Sequence, residues 1–389
     1  MLESPPKLTR RNVLLGGLIL PFSIKSLFAS HAHSTTIPFL DDTFNPSIIT
    51  KNKDKIIPFT LTHLTHWITP TDQFYIRNHF AVPDVSDTDQ WIIHIHGRVQ
   101  RSHDLSFAQL SDFSHVDQVV TLECAGNSKH RNHGLVSNAR WTGVPLRTVL
   151  DRVQVTPDAT HVVFHGADTD TEKNRHFSRA LTIKQAMQSE VMLATKMNGA
   201  PLPPDHGFPI RLIVPGWYGM AHVKWLKRIE LISHPFDGRY QTTFYVNKRR
   251  TDRGSAVLWT PEPITKIPVK SIIARIQYDQ YSQGTVYQAS GAIWGGNRPT
   301  TSIHVHINDA SQWKEATLHE PSDPFAWTLW SYQWNNPLPG PHKLMSRGTD
   351  HAGNIQPIKR STHLYGPYQH DEVIVRRVHL SRENKKPRH

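Results

Sequence analysis

Cys124 is the only cysteine in 389 residues, and it comes at the end of a β-branched apolar run. Val119-Val120-Thr121-Leu122-Glu123 leads into it and Ala125-Gly126-Asn127 follows. The pattern predicts a strand that presents a thiol at its tip, backed by a small-residue turn. A single cysteine allows no intrachain disulfide, so stability has to come from ordinary hydrophobic cores. A thiolate is a nucleophile or a soft metal ligand. A lone thiol is also a small apolar side chain suited to burial. The rest of the chain has to decide among the three.

The length suits two domains. Hydrophobic residues at 38% and charged residues at 20% describe a globular protein, and 28 prolines with 11 tryptophans favour loop-rich β architecture over helical bundles. The formal charge is +12, which favours anionic partners. Lys and Arg are scattered and no nucleic-acid-binding signature is present, so no nucleic-acid partner is expected. Electrostatic steering of a small anion accounts better for the basic surface.

Arg10-Arg11 precedes the short apolar run 13–22, and Ser30-His31-Ala32 offers a small-x-small cleavage site. The run is too short for a membrane span. Residues 1–32 are therefore expected to be a twin-arginine signal peptide, exporting a folded chain to the periplasm.

Residues 35–250 read as a mixed α/β unit with short helices. Strands are expected at 91–97, with His94 and His96 on one polar face, at 161–164 and at 210–214; helices are expected at 105–110, 146–150 and 183–187. Asn198-Gly199 is a turn and 201–209 a proline-rigidified loop. Residues 235–268 read as a linker. From Lys270 onward short alternating strands follow, at 272–276, 286–293, 302–307, 313–318, 326–333 and 342–349. That texture predicts an Ig-like β-sandwich over 260–380, so the fold class is α+β.

Basic and polar residues gather at expected loop and strand ends: Arg77, Asn78, His79, Lys129, His130, His206, Arg211, His222 and Lys224. Arginines offer fixed donor forks to phosphates and oxyanions. Arg211 sits inside an apolar strand and demands an anionic partner. Such donors and one thiolate suit a phosphate-bearing metal cofactor. A nucleophilic triad of Cys124 with His130 and Asn127 remains open on these grounds.

The chain resembles the sulfite oxidase family of molybdopterin enzymes. The similarity is carried by Tyr75-Ile76-Arg77-Asn78-His79, Thr121-Leu122-Glu123-Cys124-Ala125-Gly126-Asn127, Ala139-Arg140-Trp141-Thr142-Gly143, Gly166-Ala167-Asp168, residues 197–211 and His222-Val223-Lys224-Trp225-Leu226. The resemblance implies that Cys124 ligates molybdenum in a molybdopterin cofactor. It implies that Arg77, Asn78, His79, Asp168, His206, Arg211, His222, Val223 and Lys224 contact the pterin. Arg77, Lys129 and Tyr245 are implied to serve catalysis on a small oxyanion, sulfite being oxidised to sulfate by oxygen-atom transfer. With one cysteine this chain is expected to hold no c-type haem, so electrons would pass to an external acceptor such as a c-type cytochrome. The sandwich implies a homodimer.

Three positions depart from the family pattern. Lys129 stands where an arginine is usual, the pocket tryptophan after the cysteine has no counterpart, and Tyr365 stands where a substrate arginine is often found. These leave two alternatives: a reductase of a sulfoxide or other S- or N-oxide with the same cofactor, and a non-catalytic periplasmic anion-binding protein.

Overall fold

The computed structural model describes residues 34–42, 50–51, 54–173, 175–254, 256–281, 284–296, 298–308, 310–321 and 323–381. The twin-arginine stretch lies outside the described residues. Strands carry the architecture; the longest described helix, Leu146–Val153, has eight residues. It buries Leu146, Val149, Leu150 and Val153, a spacing that puts one face on the core. The fold is α+β, as expected.

The first half holds two five-stranded sheets. One runs Arg175–Thr182, His161–Asp170, Leu226–Ile232, Ile92–Gly97, His103–Ser106. Only the pairing of Leu226–Ile232 with Ile92–Gly97 in it is parallel. The other runs Ala200–Pro201, Met192–Met197, Val136–Pro145, Val116–Glu123, with Arg211–Ile213 also paired to Met192–Met197. Gly143 is fixed by its neighbours: a Cβ there would lie 2.1 Å from the Leu193 carbonyl oxygen. The strand before Cys124 is therefore real, and it forms an edge of its sheet. The expected helix at 105–110 is split between His103–Ser106, which pairs Leu105 with Ile93, and a 3-10 turn, Ala108–Asp112. Leu105 and Leu110 are both buried, but strand pairing claimed the first of them.

Two sheets form the C-terminal sandwich. One orders Thr35–Ile37, Lys270–Tyr281, Gly284–Trp294, Thr328–Asn335, Thr317–Leu318; the other orders Lys314–Glu315, Thr300–Ile307, Gly340–Asp350, Val375–Leu380. Ile273, Ile276, Ile293, Trp330 and Leu344 fill its interior. The opposite face of the first sheet is buried too: Ile272, Ala274, Trp294 and Leu329 belong to the core of the first half. The register shift between Ile273 and Arg275 lets one strand serve both cores.

Two expectations fail at the ends of this unit. The lead-in strand Thr35–Ile37 joins the C-terminal sheet, with Ile37 opposite Ile276, and Asp42 grips Arg376 at 2.7 and 3.1 Å. The supposed linker at 235–268 is a short helix, Arg239–Thr242, and a hairpin of Val246–Arg253 with Ala256–Pro263. Strand Ala256–Pro263 is exposed almost throughout, so it carries no buried-face alternation for a sequence reading to detect.

Candidate functional site

Cys124 begins where its strand stops. Its N–H donates to the Leu135 carbonyl (2.9 Å) and its carbonyl accepts from Asn127 N–H (2.9 Å), closing the Ala-Gly-Asn turn. Successive strand side chains alternate, which sends Glu123 toward the C-terminal sandwich and Cys124 into a cavity. That cavity is lined by Cys124, Tyr75, Arg77, Asn78, His79, Asp168, His206, Arg211, His222, Lys224 and Tyr245. Nearly all the residues singled out in the sequence converge there from six separate segments.

Arg211 is the buried cation of this wall. It is 4% exposed. Its Nη1 donates to the His206 carbonyl (2.9 Å) and Nη2 to the His222 carbonyl (3.1 Å), and its guanidinium lies 4.9 Å over the Trp141 ring. Among the described residues no carboxylate pairs with it, and Nε has no partner. Burial pushes its pKa down to about 10, so it stays charged at neutral pH. Lys224 donates to the Asp205 carbonyl (2.9 Å), the Arg77 carbonyl (3.3 Å) and Asn78 Oδ1. Burial holds its ammonium well below the ordinary lysine range, with the nearby Asp168 opposing. Asn78 Nδ2 donates to Asp205 Oδ1 (3.0 Å), whose other oxygen meets Lys55 at 2.6 Å. Burial pushes Asp168 up to about 6 against the pull of Lys224. Gly166 makes room for this carboxylate, since a Cβ would lie 2.3 Å from Asp168 Oδ1.

The histidines are neutral. Burial pushes His79, His206 and His222 down to about 3. His222 accepts from Val214 N–H at Nδ1 (3.1 Å) and donates from Nε2 to the Trp217 carbonyl (3.1 Å). Both ring nitrogens are spent within the protein, while the residue lines the cavity and its carbonyl holds Arg211. Val223 does not line that cavity. Its side chain is fully buried in the core, its N–H donates to the Ala221 carbonyl and its carbonyl accepts from Leu212. His79 Nε2 touches Tyr245 Oη, and His79 Nδ1 lies 3.2 Å from Arg77 Nη2. Burial raises the Tyr245 phenol far above its usual range, so it is a donor at any ordinary pH.

Burial also raises the Cys124 thiol, with Arg77 opposing. Among the described residues no histidine bonds its sulfur, and Asn127 is engaged with Glu123 (3.2 Å) and Leu135 (3.0 Å). The triad reading has no geometry behind it.

An outer cleft opens on the same thiol. Arg77, His79, Cys124, Arg131, Asp170, Lys173, Arg175, Tyr240, Phe244, Tyr245 and Tyr368 line it. Lys129 is not there; it lines a separate surface pocket with Asp41, Glu372 and Arg377. Lys129–Arg131 is a 3-10 turn, with three residues per turn, so positions two apart point to different sides. Arg131 takes the cleft side and Lys129 the other. Sequence reasoning missed Arg131 although the basic run contained it. Tyr365 is exposed and meets Trp259 edge to face, with centroids 6.1 Å apart. The residue that reaches the cleft from this turn is Tyr368, 5.2 Å from the Tyr245 ring.

The donor set fits a phosphate-bearing molybdenum cofactor. Arg211 and Lys224 are buried cations with orphaned or carbonyl-only contacts, Arg211 Nε and Tyr218 Oη are buried without partners, and one soft thiolate stands on the cavity wall. Comparison with known proteins agrees. Residues 79–240 match the oxidoreductase molybdopterin binding domain. Mitochondrial sulfite oxidase of Homo sapiens is 30% identical over 354 residues, covering 83% of this chain and 64% of that protein. The chain is thus similar to sulfite oxidases over most of its length and carries the molybdopterin-binding domain, while spanning less than two thirds of that human relative. Sulfite oxidase of Arabidopsis thaliana is 29% identical, covering 76% of this chain and 83% of its own length. Inducible nitrate reductase [NADH] 1 of Glycine max is 31% identical over 353 residues but is only 38% covered, so similarity alone does not fix the substrate. The fold is that of the crystal structure of the sulfane dehydrogenase SoxCD from Paracoccus pantotrophus, with TM-score 0.74 at 21% identity, covering 95% of this chain and 96% of that one.

Proposed function

We propose that this chain is a molybdenum-cofactor oxidoreductase that oxidises sulfite to sulfate and passes electrons to an external acceptor, a c-type cytochrome, in the periplasm. The observation that carries the reading is the convergence of Cys124, Arg77 and Tyr245 on one cavity whose outer cleft also holds Arg131. Cys124 is the metal ligand. Arg211, Lys224, Asn78, His206 and Asp168 would hold the pterin cofactor, with His222 and Val223 supporting them from the protein side. Oxygen-atom transfer with uptake of two electrons is the chemistry that a bound molybdenum centre supplies.

The chain's own residues bind and orient the anion. Arg77 and Arg131 offset its charge, in the role first given to Lys129. Tyr245, kept protonated by burial and steadied by His79, donates a hydrogen bond to a substrate oxygen. Tyr240, Phe244 and Tyr368 narrow the approach and limit water. The twin-arginine leader, the haem-free chain and a homodimer built on the sandwich belong to the same proposal.

The test is a steady-state assay with sulfite and an artificial one-electron acceptor on metal-loaded protein, beside a molybdenum determination. The expected result is about one molybdenum per chain and sulfite-dependent turnover, both lost in Cys124→Ser. Turnover retained by that variant, or turnover of a sulfoxide or nitrate with none of sulfite, overturns the reading.

A further inference from the structure

We infer that the C-terminal sandwich positions the Cys124 thiolate through the buried charge pair of Lys270 with Glu123. This rests on the proposal that Cys124 is the metal ligand, and it makes Lys270, Glu123 and Trp294 positioning residues.

The Cys124 strand is an edge strand of its sheet, and an open edge leaves backbone groups unpaired. The C-terminal half closes this one at every second residue. Thr121 N–H donates to the Phe325 carbonyl (2.9 Å), and Trp327 N–H donates to Thr121 Oγ1 (2.7 Å). Two residues on, the Glu123 carboxylate takes the Lys270 ammonium on Oε1 and the Trp294 indole N–H on Oε2 (2.9 Å). Two residues further, Gln369 N–H donates to the Ala125 carbonyl (3.1 Å).

Glu123 is the link that continues into the loop. Its Oε1 also accepts from Asn127 Nδ2 (3.2 Å). Asn127 Oδ1 accepts from Leu135 N–H (3.0 Å), and the Leu135 carbonyl accepts from Cys124 N–H (2.9 Å). A connected set of hydrogen bonds therefore runs from the sandwich to both sides of the thiol. Glu123 is fully buried, and Lys270, Trp294 and Asn127 are each 2% exposed. Lys270 and Trp294 face each other in register on paired strands, so they move as one body. Apolar packing would hold two domains together equally well. What charged hydrogen bonds add is direction, and a metal ligand needs its supporting shell placed to within about half an ångström.

The test uses the full chain and the variants Lys270→Met, Glu123→Gln and both together. Amide hydrogen exchange on cofactor-free protein reads the loop; kinetics and the thiolate-to-metal absorption band of loaded protein read the ligand. K270M is expected to speed exchange at Cys124, Asn127 and Leu135 by about tenfold or more, leaving the strand His161–Asp170 unchanged. Loaded K270M is expected to show a shifted absorption band and lower kcat at unaltered KM. The double variant removes both charges and is expected to recover the band and to bring exchange back to within about twofold of the parent. Should K270M not fold, Trp294→Phe removes one bond to Glu123 without stranding a charge and is read at the same amides. Uniform acceleration along the chain, or three unchanged amides with an unshifted band, overturns the inference. A parent chain that takes up no molybdenum overturns the functional proposal instead, and the exchange result still decides the coupling.

Discussion

Replacing Arg211 with methionine separates the two jobs that this buried cation does. In the cofactor-free protein the guanidinium is 4% exposed with no carboxylate partner among the described residues. Burying an ion costs several kcal/mol even after relaxation. Two charge-assisted bonds to the carbonyls of His206 and His222 return about 1.5–3 kcal/mol each, and the Trp141 face adds about 1–2 kcal/mol. These nearly cancel, so Arg211→Met is expected to leave the cofactor-free protein within about 2 kcal/mol of the parent. The loaded protein is different on the proposed function, in which the charge meets phosphate. Losing one such contact weakens binding by about 1.5–3 kcal/mol, or roughly 10- to 100-fold. The stabilisation conferred by cofactor then shrinks by up to about 2.7 kcal/mol, which is about 3 °C in Tm for a chain of this size. Thermal melts of both proteins, with and without cofactor, give the four values needed. A variant that melts many degrees lower without cofactor, yet gains as much as the parent on loading, would show Arg211 to be structural and refute the argument.

Acid should weaken the cofactor-free fold through His206 and His222. Both are buried and pushed down to about 3 from 6.5, so only the unfolded chain binds protons between those values. Stability is then intact above pH 6.5 and lost as pH falls toward 3, by at most about 1.4 kcal/mol per unit per histidine. Asp168, pushed up to about 6 from 3.8, works the opposite way over its own window, but at one site against three, because His79 is pushed down to about 3 in the same way. Urea titrations at pH 7 and 5.5 should differ in midpoint, and equal midpoints would contradict the assignment. Gly166→Ala should displace Asp168, whose Oδ1 would lie 2.3 Å from the new Cβ, and reduce molybdenum content while the apo fold persists by circular dichroism. Arg131→Ala should raise KM for the anion about tenfold or more, whereas Lys129→Ala should leave it unchanged; the reverse order would restore the assignment made from spacing.

The sequence was most legible where one side chain contradicted its surroundings. A thiol at the tip of a β-branched run and an arginine inside an apolar strand both pointed to the cavity that they now line. The sandwich was legible because short β-rich runs recur between turns, with clear alternation in strands such as Gly340–Asp350. What stayed hidden depended on turn geometry or on where a partner stands in space. Lys129 and Arg131 are two positions apart in the same basic run, and only the 3-10 turn decides which faces the thiol. His222 fits the motif, yet Val214 and Trp217 consume both its ring nitrogens. Glu123 reads as one more strand residue until Lys270, 147 positions away, is seen against it.

The short strand Thr35–Ile37 carries a consequence for the order of assembly. It pairs with residues 276–278, and the aspartate that follows it is held by Arg376, 334 positions along the chain. Neither partner exists while the first residues are being made, so this strand waits, unpaired, until residues 276–278 have been made. Contacts of such long separation also form late in folding, because their loop entropy is met only once the rest is in place. The strand Thr35–Ile37 thus acts as a late latch, and a chain shortened at its start leaves one sheet of the sandwich unfinished, whereas one shortened at its end leaves the other.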